Sequence, residues 1–328
     1  MSRTVIACLG AGRMGRGIAV AFAYAGHRVL LIDVKERDDA AFRALAEAAL
    51  GEVQSTLGSL AALGLFDKAA VETIAARVDV IPAGKRGDAL SEATIVFEGV
   101  PEILALKREV LADASKLARH DAIIASTTST IMVDDMSGAV VGPHRFLNAH
   151  WLNPAYLVPL VEMSPGEETD PEVTARLKAV LEGIGKVPVI CKSSPGFIVP
   201  RIQALAMNEA ARMVEEGVAS AEDIDTAIRV GFGFRFAVLG LLEFIDWGGG
   251  DILFHASRYL EGALGSERYR APDVIRRNME EGRIGLRTGQ GFLDYDGLDV
   301  EAYRRERLSA FIGLLRHLGL ARPPNLDA

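Results

Sequence analysis

His150 and Glu162 are the only strongly titratable side chains in the stretch "NAHWLNPAYLVPLVEM", residues 148–163. A neutral imidazole can take the proton of an alcohol, since it titrates near neutral pH. A carboxylate on the far side of the ring would fix its tautomer and stabilise the imidazolium that forms. The stretch is typical of a strand end, a turn and a returning strand, which would bring Glu162 back to His150. The alternative is a structural histidine beside a solvated acid.

A glycine pattern lies near the start of the chain, in "VIACLGAGRMGRGIAVAFAYAGHRVLLID". Gly10, Gly12 and Gly15 form G-x-G-x-x-G directly between an apolar strand and a small-residue helix. Gly10 would make the tight turn, Gly12 would let the backbone approach a pyrophosphate, and Gly15 would let helix pack on strand. The helix N-terminus adds free N–H groups and the positive end of its dipole. The alternative is a glycine-rich turn without a ligand.

An acidic residue, Asp33, ends the second strand of this pattern. It would accept hydrogen bonds from the adenosine ribose and repel a 2′-phosphate, which favours NAD over NADP. Lys35 and Arg37 lie just beyond it and leave that preference open. The predicted cofactor-binding residues of this region are Gly10, Ala11, Gly12, Arg13, Met14, Gly15 and Asp33.

Short apolar runs alternate with amphipathic stretches in the first part of the chain. The runs are "TVIACLG", "RVLLID", "VDVIP", "ATIVFEGV", "AIIAS", "RFLNAHW", "LVPLVEM" and "KVPVICK". Strands that alternate with helices predict an α/β fold with a Rossmann-like, doubly wound and mostly parallel sheet.

The pattern changes after "CKSSPGF". The later stretches "RIQALAMNEAARMVEEG", "SAEDIDTAIRVG", "PDVIRRNMEEGRIG" and "DVEAYRRERLSAFIGLLRHLG" all have helical character. Ser220 is a candidate N-cap, with acids in the turn that follows. We therefore predict a nucleotide-binding domain over residues 1–194 and a smaller all-α domain over residues 195–328.

Composition excludes several classes of protein. The 328 residues carry a net charge of −8, spread along the chain, which gives no electrostatic case for a nucleic-acid or anionic-membrane partner. No apolar run is long enough to span a membrane. Cys8 and Cys191 suit buried thiols of a reducing compartment, and the histidines lack metal-ligand spacing. We expect a cytoplasmic protein without a metal site.

The chain resembles the L-3-hydroxyacyl-CoA dehydrogenases over nearly its whole length. The matching pieces are "GAGRMGRGIA", "EGVPEILALKREV", "ASTTST", "HWLNP…PLVE", "SSPGFIV", "EDIDTAIRVGFG" and "GLRTGQGF". "VPEILALKR", "NPAYLVPLVE" and "GFGFRFAVLGLLEF" look more like the branches that contain lambda-crystallin, L-gulonate 3-dehydrogenase and carnitine dehydrogenase.

The resemblance implies an enzyme of hydroxy-acid or fatty-acid metabolism. NAD would be the cofactor, the small-molecule substrate would be a 3-hydroxyacyl-CoA or a 3-hydroxy acid, and the helical domain would form a homodimer and close the active-site cleft. His150 would be the general base, Glu162 would orient it, and Ser129 would bind the reacting oxygen. Glu102 and Lys107 would line the cofactor, with Thr127 and Asn153 near its nicotinamide end.

Two of these roles have a simpler alternative. Ser129 lies in a Ser/Thr cluster, residues 126–130, which is also typical of a turn or a helix cap. Asn153 precedes Pro154 and could serve only to build the turn.

Pro200 departs from the family pattern, which usually has an asparagine there whose amide helps to bind the substrate oxygen. A proline is tolerated in the first turn of a helix, but it removes that donor. Arg235 is our candidate for a substrate contact, because a guanidinium could hold a free carboxylate; the alternative is an exposed arginine at a helix end. The loss also leaves a second function class open, an NAD-binding, crystallin-like protein with little or no catalysis.

Overall fold

An eight-stranded sheet forms the core of the first part of the chain. The computed structural model describes residues 4–326, and the sheet order within them is β3-β2-β1-β4-β5-β6-β7-β8. Neighbouring strands are parallel except β6 and β7, which are antiparallel. The strands are β1 (Val5–Leu9), β2 (Arg28–Ile32), β3 (Val78–Ile81), β4 (Ile95–Glu98), β5 (Ile123–Ser126), β6 (Phe146–Trp151), β7 (Leu160–Pro165) and β8 (Val187–Ile190).

Seven of the eight apolar runs read from the sequence contain one of these strands, and the eighth, "LVPLVEM", overlaps the first four residues of β7, so the predicted α/β class is confirmed. The order of the first six strands is that of a doubly wound nucleotide-binding sheet, with the direction of winding reversing between β1 and β4. Ligands of such sheets bind at the carboxyl ends of the strands near this reversal.

Both faces of the sheet are apolar because helices cover both. On β1, Ile6 and Cys8 pack into one cluster with the helix that follows, whereas Ala7 and Leu9 pack into a second cluster on the opposite face. This explains why the strands read as continuous apolar runs in the sequence instead of alternating.

The chain divides into two compact units, Met1–Met207 and Asn208–Ala328. The helices before the division are α1 (Arg13–Tyr24), α2 (Asp39–Ala62), α3 (Val71–Ala75), α4 (Arg86–Glu92), α5 (Leu104–Leu117), α6 (Asp134–Ser137) and α7 (Pro171–Gly183). They are followed by α8 (Val199–Glu215), α9 (Ala221–Ala227), α10 (Gly233–Phe236), α11 (Leu241–Gly248), α12 (Gly250–Leu264), α13 (Asp273–Glu280) and α14 (Val300–His317). The division falls inside α8, and the domain boundary read from the sequence, at residue 194, stays a prediction.

The second unit is helical, as predicted. Ser220 caps α9 by accepting a hydrogen bond from the backbone N–H of Asp223 at 3.1 Å. Asp246, which is buried on α11, accepts hydrogen bonds from the backbone N–H groups of Phe292 and Leu293 and so anchors the loop "TGQGF". In the described part of the chain, no helix is long and apolar enough to cross a membrane.

Candidate active site

The glycine loop has the geometry that its spacing requires. Gly10 has a φ of +104°, a left-handed conformation that favours glycine, and its N–H donates to the carbonyl of Ile32 on β2. A Cβ on Gly15 would lie 2.2 Å from the Gly10 carbonyl oxygen, so only glycine allows α1 to begin here. A Cβ on Gly12 would meet nothing within 4 Å. Gly12 therefore keeps open a space at the N-terminus of α1.

That space is part of a cavity of about 570 Å³. It is lined by residues 10–14, 33–35 and 99–101, and by Arg16, Arg37, Leu45 and Asn153. Its position over the carboxyl ends of β1, β2 and β4 and its size suit an extended dinucleotide. The residues present therefore fit NAD.

Asp33 is buried directly after β2, and its N–H donates to the carbonyl of Ile81. Its carboxylate faces the cavity but already has two partners. One oxygen accepts from the backbone N–H of Lys35 at 3.1 Å, and the other accepts from Nε of Arg37 at 2.6 Å. The acid at the ribose position is therefore held by an arginine that lines the same cavity.

The second part of the site lies on β6 and β7. His150 and Glu162 are directly opposite each other in the antiparallel register, and Nδ1 of the imidazole is 2.8 Å from Oε2 of the carboxylate. His150 is 5 % exposed and Glu162 is fully buried. The predicted return of Glu162 to His150 is thus confirmed, and the two strands that make it are paired residue by residue.

The other oxygen of Glu162 binds the start of α8. Oε1 accepts hydrogen bonds from the backbone N–H groups of Ile198 and Val199 at 2.9 and 2.8 Å. Both groups are donors at the positive end of the helix dipole, so Oε1 serves only as an acceptor there. An ionised Glu162 accepts the proton on Nδ1, which leaves Nε2 as the unprotonated nitrogen of the ring. Among residues 4–326, Nε2 has no hydrogen-bond partner.

Phe197 packs against one face of the imidazole. The two rings are stacked at 5.5 Å between centroids. Phe197 is the one non-glycine residue with positive φ among those described, at +44°, a strained conformation for a bulky side chain. Such strain persists only where the surroundings fix it, and here it places the ring against His150 and the next two N–H groups on Glu162.

Ser129 lies on a loop just after β5. Its N–H donates to Oε1 of Glu102 at 3.1 Å, and Thr128 and Thr130 donate to the same oxygen. Burial alone would raise the pKa of Glu102, but the hydrogen bonds from Thr128 and Thr130 and the charge of Lys107 lower it. Glu102 therefore remains charged and orders this loop.

Asn148 ties the same loop to β6. Asn148 is two residues before His150, on the same face of the strand. Its side-chain amide donates to the carbonyl of Ile131 at 2.9 Å. The Ser129 loop and the strand of His150 therefore have a direct connection.

Lys107 is 1 % exposed and forms a buried ion pair with Glu98 at the end of β4. Its ammonium lies 2.9 Å from one oxygen of Glu98, 3.2 Å from the carbonyl oxygen of Val100 and 3.4 Å from Oε2 of Glu102. Both members of the pair form hydrogen bonds with the backbone of Val100, in the 99–101 segment that lines the cavity. Sequence reasoning missed Glu98, since an acid at a strand end does not reveal its burial.

The remaining predicted residues lie in different places. Thr127 is buried after β5, where its N–H donates to the carbonyl of Glu98. Asn153 lines the cavity and is joined to Pro154 by a cis peptide bond. Pro200 is the second residue of α8, as predicted for a proline in a first turn.

Arg235 belongs to the second unit, on α10. Its Nε donates to the carbonyl of Gly231 at 3.2 Å, and its guanidinium lies 5.2 Å from the ring centroid of Phe244.

The glycine-loop cavity and the buried imidazole–carboxylate pair both lie at the carboxyl edge of one doubly wound sheet, an arrangement that suits a nicotinamide-dependent dehydrogenase. The particular family follows from the comparison with known proteins. The family model "3-hydroxyacyl-CoA dehydrogenase, NAD binding domain" matches residues 5–194, and the C-terminal domain model of the same family matches residues 196–295. The chain belongs to the 3-hydroxyacyl-CoA dehydrogenase family and is an NAD-dependent enzyme of that type.

Similar proteins differ in the substrates for which they are named. The 5-formyl-3-hydroxy-2-methylpyridine 4-carboxylate 5-dehydrogenase of Mesorhizobium japonicum is 32% identical over 319 residues, 95% of this chain and 97% of that protein. A probable 3-hydroxybutyryl-CoA dehydrogenase of Bacillus subtilis is 30% identical over 287 residues, 88% of this chain and 96% of that one. The crystal structure of a 3-hydroxyacyl-CoA dehydrogenase from Archaeoglobus fulgidus has a TM-score of 0.75 at 32% identity and covers 97% of this chain and 100% of that one.

Proposed function

We propose that the protein interconverts a 3-hydroxy and a 3-oxo group on an L-3-hydroxyacyl-CoA or a related 3-hydroxy acid. The observation that carries the proposal is the 2.8 Å contact between Nδ1 of His150 and Glu162, which leaves Nε2 unpaired among residues 4–326. Bound NAD supplies the hydride acceptor. His150 takes the hydroxyl proton at Nε2, and Glu162 holds the ring and stabilises the imidazolium.

The reacting oxygen needs a donor close to the base. Ser129 is our candidate, because its loop is fixed from one side by Glu102 and from the other by Asn148. Asn153 lines the cavity and would lie near the nicotinamide end with Thr127. Glu102 and Lys107 are assigned to the same end, where the buried pair of Lys107 and Glu98 supports the cavity wall.

A screen that follows NADH absorbance tests the proposal. The substrates are short 3-hydroxyacyl-CoAs, L-gulonate, carnitine and other 3-hydroxy acids, with NAD-induced thermal stabilisation measured in parallel. Turnover of at least one of them is the expected result. Stabilisation by NAD with no turnover of any would contradict the enzymatic proposal and favour the crystallin-like alternative that the loss of a donor at Pro200 suggests.

A free hydroxy acid is the second candidate substrate. It is favoured by the similarity to a relative that is named for a pyridine carboxylate, and by Arg235, whose guanidinium could clamp a carboxylate. We expect Arg235→Ala to lower kcat/KM for free acids about tenfold or more and to leave CoA thioesters unaffected. Arg229→Ala, at another exposed arginine nearby in sequence, is the control. Equal loss on both substrate types would contradict a carboxylate clamp.

We further infer a cytoplasmic homodimer. Large apolar side chains of the second unit are more than half exposed in the single chain, among them Val218, Ile252, Tyr259 and Leu308. A second copy that packs against such side chains would bury their apolar area. Cys8 and Cys191 are free thiols, which suits a reducing compartment. A mass from light scattering that equals one chain would contradict the dimer.

A further inference from the structure

The cavity beside the glycine loop is strongly cationic. Arg13, Arg16, Lys35 and Arg37 line it, and Asp33 is the one acid among the described residues of its lining. The excess is local, because the chain as a whole carries a net charge of −8. Cationic side chains and backbone N–H groups bind phosphate well. The lining therefore favours a ligand that carries a phosphate group in place of a ribose hydroxyl.

Two of the four cations have no partner in the described part of the chain. Arg16 donates from Nε to the carbonyl of Ala11 at 2.8 Å and pairs with Glu52. The side chains of Arg13 and Lys35 make no hydrogen bond or ion pair within residues 4–326. Arg13 stands at the first position of α1, where a pyrophosphate would lie. Lys35 stands instead two residues after Asp33, on the ribose side of the cavity.

Arg37 also belongs to the ribose side. Its Nε contacts Asp33 at 2.6 Å, and a third of its side chain is exposed. The neighbouring Glu36 forms an ion pair with Arg86 at 3.4 Å and is not among the residues that line the cavity. Arg37 and Lys35 therefore lie beside the carboxylate that would otherwise repel a 2′-phosphate.

We propose that the ribose subsite accepts a 2′-phosphate, so that the protein binds NADP as well as NAD. The inference rests on the nucleotide site of the proposed function. With NAD, Arg37 stays on Asp33 while the ribose hydroxyls bind the remaining lone pairs. With NADP, the guanidinium moves from Asp33 to the phosphate, and Lys35 adds a second cation. The energetic loss at Asp33 is thus offset by charge-assisted hydrogen bonds to the new group.

Calorimetric titration of the full-length protein with four ligands tests this. The ligands are NAD, NADP, AMP and adenosine 2′,5′-bisphosphate; the last two isolate the ribose subsite from the nicotinamide. We expect the Kd of NADP to lie within about 30-fold of that of NAD. Arg37→Ala and Arg37→Gln should each raise the NADP/NAD ratio of Kd by about 10–100-fold, the value of a charge-assisted hydrogen bond.

Two further variants sharpen the result. Asp33→Asn should lower the same ratio, because it removes the repelling charge and frees Arg37. Arg43→Ala removes an exposed cation of α2 that does not line the cavity, and it should leave the ratio within about twofold. It controls for the general loss of positive charge.

The outcomes separate the two proposals. An NADP/NAD ratio that Arg37→Ala and Arg37→Gln leave unchanged would overturn the 2′-phosphate subsite while the NAD site stands. Failure of the parent protein to bind any of the four ligands would overturn both.

Discussion

Replacing Glu162 with glutamine tests the central pair most directly. The carboxylate is fully buried and accepts three hydrogen bonds, one from His150 and two from the start of α8. A glutamine of the same shape can keep the two backbone donors on its carbonyl oxygen. Its NH₂ group must then face Nδ1, which turns that nitrogen into an acceptor and moves the ring proton to Nε2. The base would hold a proton where it needs a lone pair.

The expected cost in kcat is about 10³–10⁴-fold, the size of the effect when a carboxylate–imidazole pair is forced into the wrong tautomer. Stability should change less, by about 1–3 kcal/mol, because neutral hydrogen bonds replace charge-assisted ones. The assay is NADH absorbance with the substrate that the parent protein turns over best, together with chemical denaturation and the Kd of NAD.

Glu182→Gln is the matched control, since Glu182 is a half-exposed acid whose ion-pair partner among the described residues is Lys178, also on α7. It should leave kcat unchanged. A Glu162→Gln protein that is folded, binds NAD and retains more than about a tenth of the parent kcat would refute the reasoning, because the tautomer would then not depend on the carboxylate.

Three other predictions follow from the same geometry. His150→Ala should lower kcat at least as far as Glu162→Gln while the Kd of NAD, measured by titration, stays within about threefold; a mutant with most of its kcat would exclude His150 as the base. Gly15→Ala should cost about 1–3 kcal/mol of unfolding free energy through its clash with Gly10, whereas Gly12→Ala should fold normally and weaken NAD about tenfold or more; loss of stability in Gly12→Ala would contradict this division. Burial raises the pKa of Cys8 to about 12, so a thiol reagent at pH 8 should label Cys8 only after denaturation, whereas Cys191 is partly exposed; fast labelling at Cys8 itself in the native protein, mapped by peptide mass, would contradict its burial.

The sheet could be predicted because its strands are buried on both faces. A strand such as "IIAS" or "VLLI" is apolar at almost every position, which separates it from the amphipathic helices on either side. The glycine loop was predictable for a different reason, since a left-handed turn and a close helix–strand approach restrict Gly10 and Gly15 to one residue type. The pairing of His150 with Glu162 could be predicted because a single connection, residues 152–159, separates their two strands.

Contacts between distant segments could not be predicted. Nothing in the spacing of Glu162 from Ile198 shows that a backbone N–H will bind the carboxylate, because almost any residue type supplies that donor. The left-handed Phe197 has no signal beyond the glycine before it. Lys107 reads as an exposed residue of an amphipathic helix, and only the fold reveals its buried partner Glu98.

The double attachment of Glu162 has a mechanical consequence. The same carboxylate is bound by the imidazole on one side and by the first N–H groups of α8 on the other. When His150 gains a proton, its attraction for Glu162 increases. The strength of the hydrogen bonds from Ile198 and Val199 to the same carboxylate must change with it. The helix that begins at Val199 and runs to Glu215 is therefore mechanically coupled, at its first turn, to the protonation state of the base.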